Sequence, residues 1–270
     1  MTANPSKGTA LITGASAGIG AVYADRLARR GYDLILVARN EARLRAVADK
    51  VGAGTGRRVQ TVIADLGNKD DLLPVETILR EDPSITMLVN NAGVSSAQPL
   101  LNENVDKMED MIFLNVTALT RLAYAAAPSF VARGKGTIIN IGSVLGIDVE
   151  ALNGVYGASK AYVLALTHSL QHELSSKGVR VQAVMPGATA TDLWETIGMP
   201  LSNLPKEIVM SSAEMVDAAL AGLDQGEIVT LPGLQDGSDW TRYEEARRAL
   251  AGRLSSNHAA PRYRAASAAA

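Results

Sequence analysis

The strongest constraint in this chain is a rhythm. Short apolar runs, most of four to six residues, alternate with longer amphipathic segments from the N-terminus to about Pro232. The runs fall at 9–13 (TALIT), 33–38 (DLILVA), 59–64 (VQTVIA), 87–90 (MLVN), 137–141 (TIINI), 179–184 (VRVQAV) and 227–231 (EIVTL). They are rich in Val, Ile and Leu, the pattern of strands covered on both faces in a parallel sheet. Between them, helical periodicity spans about 18–30, 41–52, 69–81, 104–131, 154–177 and 212–224. Seven strands with six intervening helices specify a doubly wound α/β fold. This is a three-layer sandwich of a seven-stranded parallel sheet with helices on both faces, each crossover right-handed.

Two stretches leave the rhythm. Residues 188–210 carry Pro200 and Pro205 among Trp194, Ile197, Met199 and Leu201, and so long a connection reads as a lid or a disordered segment. After the last strand, Trp240, Tyr243, Ala246, Leu250 and Leu254 recur at helical spacing, which predicts one more helix over 238–254. Residues 255–270 are rich in Ala, Ser and Arg without an apolar period, and read as a flexible tail. Residues 1–254 are thus expected to form one domain.

Composition removes several alternatives. The chain has 270 residues, a formal net charge of −2 and no cysteine. That excludes a disulfide framework, a zinc knuckle and a thiolate nucleophile. No basic stripe offers itself to nucleic acid, and no uncharged apolar run reaches the roughly 18 residues of a membrane span. The stretch from Lys7 to Ala24 imitates a signal peptide, but Gly14, Gly18 and Gly20 break any apolar helix there. A cytoplasmic location is expected. His168 and His172 stand at metal-ligand spacing without a third ligand nearby, so no metal is expected. Arg247 and Arg248 beside Glu244 and Glu245 read as a solvated, ion-paired helix face.

The chemistry-bearing residues collect after strand ends. The first strand runs into 13–20 (TGASAGIG), whose glycines let backbone N–H groups and a helix N-terminus approach a pyrophosphate. After the second strand, where an NAD site would carry an acid, stand Arg39 and Asn40, with Arg43 one turn on. Arg39 suits a 2′-phosphate, and both arginines could otherwise be solvated helix-start residues. Asp65 can accept from an adenine amino group, or cap or turn the chain. Residues 90–93 (Asn-Asn-Ala-Gly) suit a ligand loop or a plain turn. Tyr156 and Lys160 lie four apart on one helix face, where a cation would favour the phenolate and let the phenol act as an acid or base near neutrality. Ser143, at the end of the fifth strand, can donate to the same substrate oxygen. The carboxyl rim of an open α/β sheet is where ligands bind.

On these motifs the sequence resembles the classical short-chain dehydrogenases/reductases, with a Rossmann-like fold. The family's TGxxxGxG is met by 13–20, its NNAG by 90–93, its Ser…YxxxK by Ser143 with Tyr156 and Lys160, and its PG segment by Pro186 and Gly187. The resemblance covers about 8–232. It implies NADP(H) as cofactor and a small-molecule carbonyl or alcohol substrate, which the apolar residues of 188–210 suggest is small or medium in size and apolar. Cofactor contacts are implied at Gly14, Ser16, Ala17, Gly18, Ile19, Gly20, Arg39, Asp65, Leu66, Asn91, Ala92, Gly93, Tyr156, Lys160, Pro186, Gly187 and Thr189. Tyr156 would be the acid/base and Ser143 would orient the carbonyl. Lys160 would bind the nicotinamide ribose and tune Tyr156, while Asn115 would hold a relay water. A homodimer or homotetramer through the helices at 104–131 and 154–177 is implied as well. Ala17 stands where many relatives that reduce acyl-carrier-protein substrates carry a basic residue, which weighs against a 3-oxoacyl thioester reductase. A non-catalytic NADP(H) sensor would need none of Asn115, Ser143, Tyr156 and Lys160. Epimerases or dehydratases need a larger sugar-nucleotide domain than the residues after Leu231 can build.

Overall fold

The computed structural model describes residues 6–263. The expected strands form: β1 (Thr9–Thr13), β2 (Asp33–Ala38), β3 (Val59–Ile63), β4 (Ile85–Asn90), β5 (Gly136–Ile141) and β6 (Val179–Val184). A two-residue pair at Thr189–Ala190 (β7) and Met210–Ser211 (β8) stands apart from the main sheet, and Val229–Thr230 (β9) closes the latter. The main sheet is parallel, in the order β3-β2-β1-β4-β5-β6-β9. β1 and β5 are buried along their whole length, whereas edge strand β3 is largely half-exposed. The chain therefore winds outward from β1, then returns to place β4 on its other side. That reversal opens a crevice at the carboxyl ends of β1 and β4.

The helices are α1 (Gly18–Arg29), α2 (Glu41–Thr55), α3 (Lys69–Glu81), α4 (Val105–Ile112), α5 (Leu119–Ala132), α6 (Gly154–Leu174), α7 (Leu193–Thr196), α8 (Ser212–Gln225) and α9 (Gly237–Ala249). Alternate strand residues feed two cores. Ala10, Ile12, Leu34 and Leu36 pack with α1, α2 and α8, while Leu11, Ile35 and Val37 pack with α3, α5 and α6. This period of two is what doubly covered strands require.

Four expectations are corrected. The single helix over 104–131 is broken by a π-helical turn at Phe113–Ala118, which joins α4 to α5. The helix over 154–177 leaves α-geometry after Leu174, and Ser175–Lys177 is a 3-10 turn ending at Gly178 with φ of 78°. The last strand of the sheet shrinks to two residues. The helix expected over 238–254 is α9, which stops at Ala249.

The chain divides into two compact units, one up to Gly233 and one from Leu234 onward. In the second unit, Trp240 and Tyr243 stack on α9 with ring centroids 5.0 Å apart. Glu244 receives Arg247 at 2.9 Å and Arg248 at 3.5 Å, so the expected ion pairing is present, but Glu244 is buried and the face is not solvated there. Of the tail expected to be flexible, 264–270 lies outside the described residues. Among the described residues no helix is long and apolar enough to cross a membrane, and no cluster of His, Cys, Asp or Glu is placed to hold a metal.

Candidate active site

The glycine turn between β1 and α1 closes around missing side chains. Gly14 has φ of 64°, in the left-handed region, and a Cβ there would stand 2.8 Å from Asn91 Nδ2. A Cβ on Gly20 would collide with the Gly14 carbonyl. Asn91 fastens the turn by donating from Nδ2 to the Thr13 and Gly14 carbonyls at 2.9 and 3.1 Å. Thr13 Oγ1 accepts the N–H groups of Asn91 and Ala92, both at 3.0 Å. Asn90 donates to Asn140 Oδ1 at 3.0 Å, and Asn140 in turn to Thr167 Oγ1 at 3.0 Å, a buried chain from β4 through β5 to α6. Much of the 90–93 motif is thus a brace for the rim.

Helix starts differ in a telling way. α2, α3, α4, α6 and α8 are capped by the side chains of Asn40, Asn68, Asn104, Asn153 and Ser211. α1 begins after Ala17 with no side-chain cap. Its first N–H groups therefore remain available to an anion at the positive end of the helix dipole.

Two cavities adjoin this turn. The smaller, about 310 Å³, is lined by Gly14, Ser16, Arg39, Arg43, Asp65, Leu66 and Ala92, among others. Arg39 lines the larger cavity as well. Arg39 Nη1 is 3.7 Å from Asp65 Oδ2, and Arg43 Nη1 is 3.1 Å from Asp192 Oδ2. A cation in the first turn of α2 works against the helix dipole, so Arg43 gains nothing from that helix. Asp65 is a turn residue, accepting the Gly67 N–H at 2.9 Å, and the cap of α3 is Asn68 instead.

The larger cavity, about 620 Å³, runs from Ala17, Gly18 and Ile19 past Asn91 and Gly93 to Ser143, Tyr156 and Lys160. Pro186, Gly187 and Thr189 border it, and Leu152, Leu193, Trp194, Ile197, Met199, Leu204 and Ile208 make an apolar wall. Much of that wall belongs to 188–210, the segment expected to be a lid or disordered, and the segment is ordered. Met210 N–H donates to the Ala188 carbonyl at 2.9 Å beside the β7–β8 pair, and Trp194 Nε1 donates to the Thr189 carbonyl at 2.8 Å. The Thr189 hydroxyl itself donates to the Gly187 carbonyl at 3.1 Å.

Gly20 and Asn115 line neither cavity and act from behind. The π turn swings Asn115 toward β4, where Oδ1 accepts the Val94 N–H at 3.0 Å and Nδ2 donates to the Val94 carbonyl at 2.9 Å and Ser159 Oγ at 3.2 Å. Both amide hydrogens are engaged, so a water held by this side chain would have to donate to Oδ1.

Lys160 is buried, donates to the Ile141 carbonyl at 3.0 Å and stands 5.6 Å from the centre of the Tyr156 ring. Burial lowers its ammonium to about 8. Burial also raises the Tyr156 phenol, while hydrogen bonds from Ser143 and Ser95 pull it back. The expectation that the neighbouring cation governs Tyr156 is therefore corrected: desolvation comes first and the two serine hydroxyls oppose it. Ser143 also caps the turn after β5, its Oγ accepting the Leu145 N–H at 3.2 Å. Sequence reading missed Ser95 and Asn153. The first lies two residues past the NNAG motif, and the second shows only as an Asn immediately before α6.

A sheet reversing beside a bare helix N-terminus, with Ser143, Tyr156 and Lys160 lining the cavity there, is the arrangement of a ligand crevice in an open α/β sheet. A family profile for short chain dehydrogenases matches residues 8–200. The chain belongs to the short-chain dehydrogenase/reductase family. A short-chain dehydrogenase from Sphingobium yanoikuyae, solved in complex with NADPH, superposes with a TM-score of 0.92 at 47% identity, covering 95% of this chain and 100% of that one. The bulky-bulky ketone specific alcohol dehydrogenase from Comamonas testosteroni gives a TM-score of 0.88 at 44% identity, covering 95% and 98%. An uncharacterized oxidoreductase of Staphylococcus epidermidis is 34% identical over 186 residues, 69% of this chain and 80% of the relative.

Proposed function

We propose that this protein is an NADP(H)-dependent oxidoreductase that interconverts a bulky apolar ketone and its secondary alcohol, with Tyr156 as the acid in reduction and the base in oxidation. The observation that carries the reading is a single cavity lined at once by Ala17, Gly18 and Ile19 of the glycine turn, by Ser143, Tyr156 and Lys160, and by the apolar side chains of Leu193, Trp194, Ile197 and Met199. The Comamonas relative, named for bulky ketones, supports the substrate class.

The residues fit the cofactor. The uncapped start of α1 and its close-packed glycines would hold a pyrophosphate, and Arg39 with Arg43 would hold a 2′-phosphate. Lys160 would hold the nicotinamide ribose. Bound NADP(H) supplies or accepts the hydride at the carbonyl carbon. Ser143 donates a hydrogen bond to the substrate oxygen and fixes its direction. Tyr156 passes its proton to that oxygen in reduction and takes it back in oxidation. The Lys160 charge favours the phenolate left behind. Leu193, Trp194, Ile197 and Met199 exclude water and receive the apolar substituents. A homodimer or homotetramer through α4, α5 and α6 accords with the exposed Ile112, Tyr124 and Tyr162 on those helices.

Assaying NADPH consumption with diaryl and branched ketones, small ketones, aldehydes and acyl thioesters tests the substrate class. The bulky ketones are expected to be turned over best, and preference for an acyl thioester would overturn that assignment. Coenzyme choice is tested by Arg39→Asp. A carboxylate there repels the 2′-phosphate, and loss of a charge-assisted bond worth about 1.5–3 kcal/mol lowers the NADPH to NADH preference by roughly ten- to hundredfold. Ratios of kcat/KM for the two coenzymes measure it, and an unchanged ratio would remove Arg39 from the site.

A further inference from the structure

Arg43 stands where a cation is out of place. It lies in the first turn of α2, at the positive end of the helix dipole, and the acid of that turn, Glu41, is held by Arg45 at 2.6 Å. Its own partner comes from 149 residues further along the chain: Arg43 Nη1 donates to Asp192 Oδ2 at 3.1 Å.

Asp192 forgoes a local bond to make this one. It occupies the N-cap position of α7, where an aspartate ordinarily accepts from the first N–H groups of the helix, yet α7 has no side-chain cap. The residue before it, Thr191, lies over the start of α1, because a Cβ on Gly18 would stand 3.1 Å from Thr191 Cγ2. The residues after it, Leu193 and Trp194, belong to the apolar wall of the larger cavity. The ion pair therefore ties the chain that carries this wall to Arg43 in the smaller cavity. Both partners are exposed, so the pair is weak on its own. A 2′-phosphate carries more charge than a carboxylate and matches the guanidinium fork, so it takes the arginine from Asp192.

We propose that Asp192 is a specificity-determining residue: it is the resident counter-ion of Arg43, and a 2′-phosphate displaces it. The inference rests on the reading of Arg39 and Arg43 as the 2′-phosphate site. Once displaced, the Asp192 carboxylate returns to the uncapped first turn of α7, beside Trp194. Breaking the pair weakens the binding of coenzymes that carry the phosphate and of no others. Their arrival is also felt at the wall of the substrate cavity.

The test uses the full chain carrying Trp240→Phe, which leaves Trp194 as the single tryptophan. The probes are adenosine 2′,5′-bisphosphate and AMP, which differ by the 2′-phosphate and need no turnover. Titration calorimetry measures both in the parent, in Asp192→Asn, in Arg43→Gln and in the double variant. Asp192→Asn is expected to bind the bisphosphate about two- to fivefold more tightly, the span of an exposed ion pair, with AMP unchanged. In the Arg43→Gln background the same change is expected to do nothing, because no arginine is left to compete for. Trp194 emission is expected to move when the bisphosphate binds the parent and to stay in place with AMP. Ligand-free Asp192→Asn, whose asparagine caps a helix as well as aspartate does, is expected to start at the moved position and remain there. An unchanged bisphosphate affinity in Asp192→Asn overturns the role of Asp192. An equal gain with and without Arg43, which marks plain charge repulsion, overturns it too, as does a Trp194 signal that the bisphosphate leaves unmoved. A parent that binds the bisphosphate no more tightly than AMP would instead overturn the 2′-phosphate reading beneath it, so the two failures are told apart.

Discussion

Tyr156→Phe is expected to lower ketone reduction by about 10³-fold, within the range that general acid catalysis supplies, while leaving fold and NADPH binding intact. The change removes one oxygen. The ring stays in its cluster with Met108, Met111, Val94, Leu145 and Val155, so packing is preserved. Ser143 and Ser95 line an open cavity where water can take the place of the lost hydroxyl. The glycine turn, Arg39 and Arg43 are untouched. A loss confined to kcat, with coenzyme affinity read from Trp194 in the lid unchanged, would mark a group needed only for the proton. Activity within tenfold of the parent would mean that another group delivers it.

Lys160→Met is expected to separate activity from stability. On the proposed mechanism turnover should fall by a comparable factor, because both the contact to the nicotinamide ribose and the charge beside the phenol would be gone. Thermal stability should hold or rise. Lys160 is buried, and burial lowers its ammonium from 10.5 to about 8. Below pH 8 the group is charged in both folded and unfolded chains, so the desolvation cost is fully present there. Between about 8 and 10.5 the folded state gives up its proton first, and the cost fades as pH rises. Methionine fills a similar volume without charge, so the variant's gain, from nil to about 3 kcal/mol, should be largest below pH 8 and disappear above the unfolded value. Melting curves across that window measure it. A variant markedly less stable at neutral pH would show that Lys160 holds the fold together and does not strain it. The same titration predicts that reduction by the parent declines as pH rises through about 8.

What was legible in the sequence follows from what leaves a local trace. Strands buried on both faces read as continuous apolar runs, so β1, β2, β5 and β6 could be placed nearly residue by residue, whereas β9 at the sheet edge keeps only two residues of its run. The π turn could not, because 104–131 keeps an unbroken apolar period, while Asn115 within the turn finds its partner, Val94, across the fold and not along the sequence. The order of 188–210 was equally hidden: its ties, Trp194 to the Thr189 carbonyl and Met210 to the Ala188 carbonyl, leave no periodicity behind. Among site residues, the glycine turn, Arg39, Ser143, Tyr156 and Lys160 stood out by motif and strand-end position. Ser95 and Asn153 are single polar residues in loops, visible only once Tyr156 has partners. The balance at Tyr156 also needed structure, since i,i+4 spacing reveals a nearby cation but not the burial that raises the phenol.

The most direct measurement is the product itself. Wild type and Tyr156→Phe would be given the same bulky ketone with NADPH carrying deuterium at the transferable position, and the alcohol analysed by mass spectrometry. The account predicts one deuterium on the carbinol carbon with wild type, one NADPH consumed per alcohol formed, and almost no alcohol with the variant. Tight NADPH binding without any labelled alcohol, or equal labelling by the variant, would contradict it.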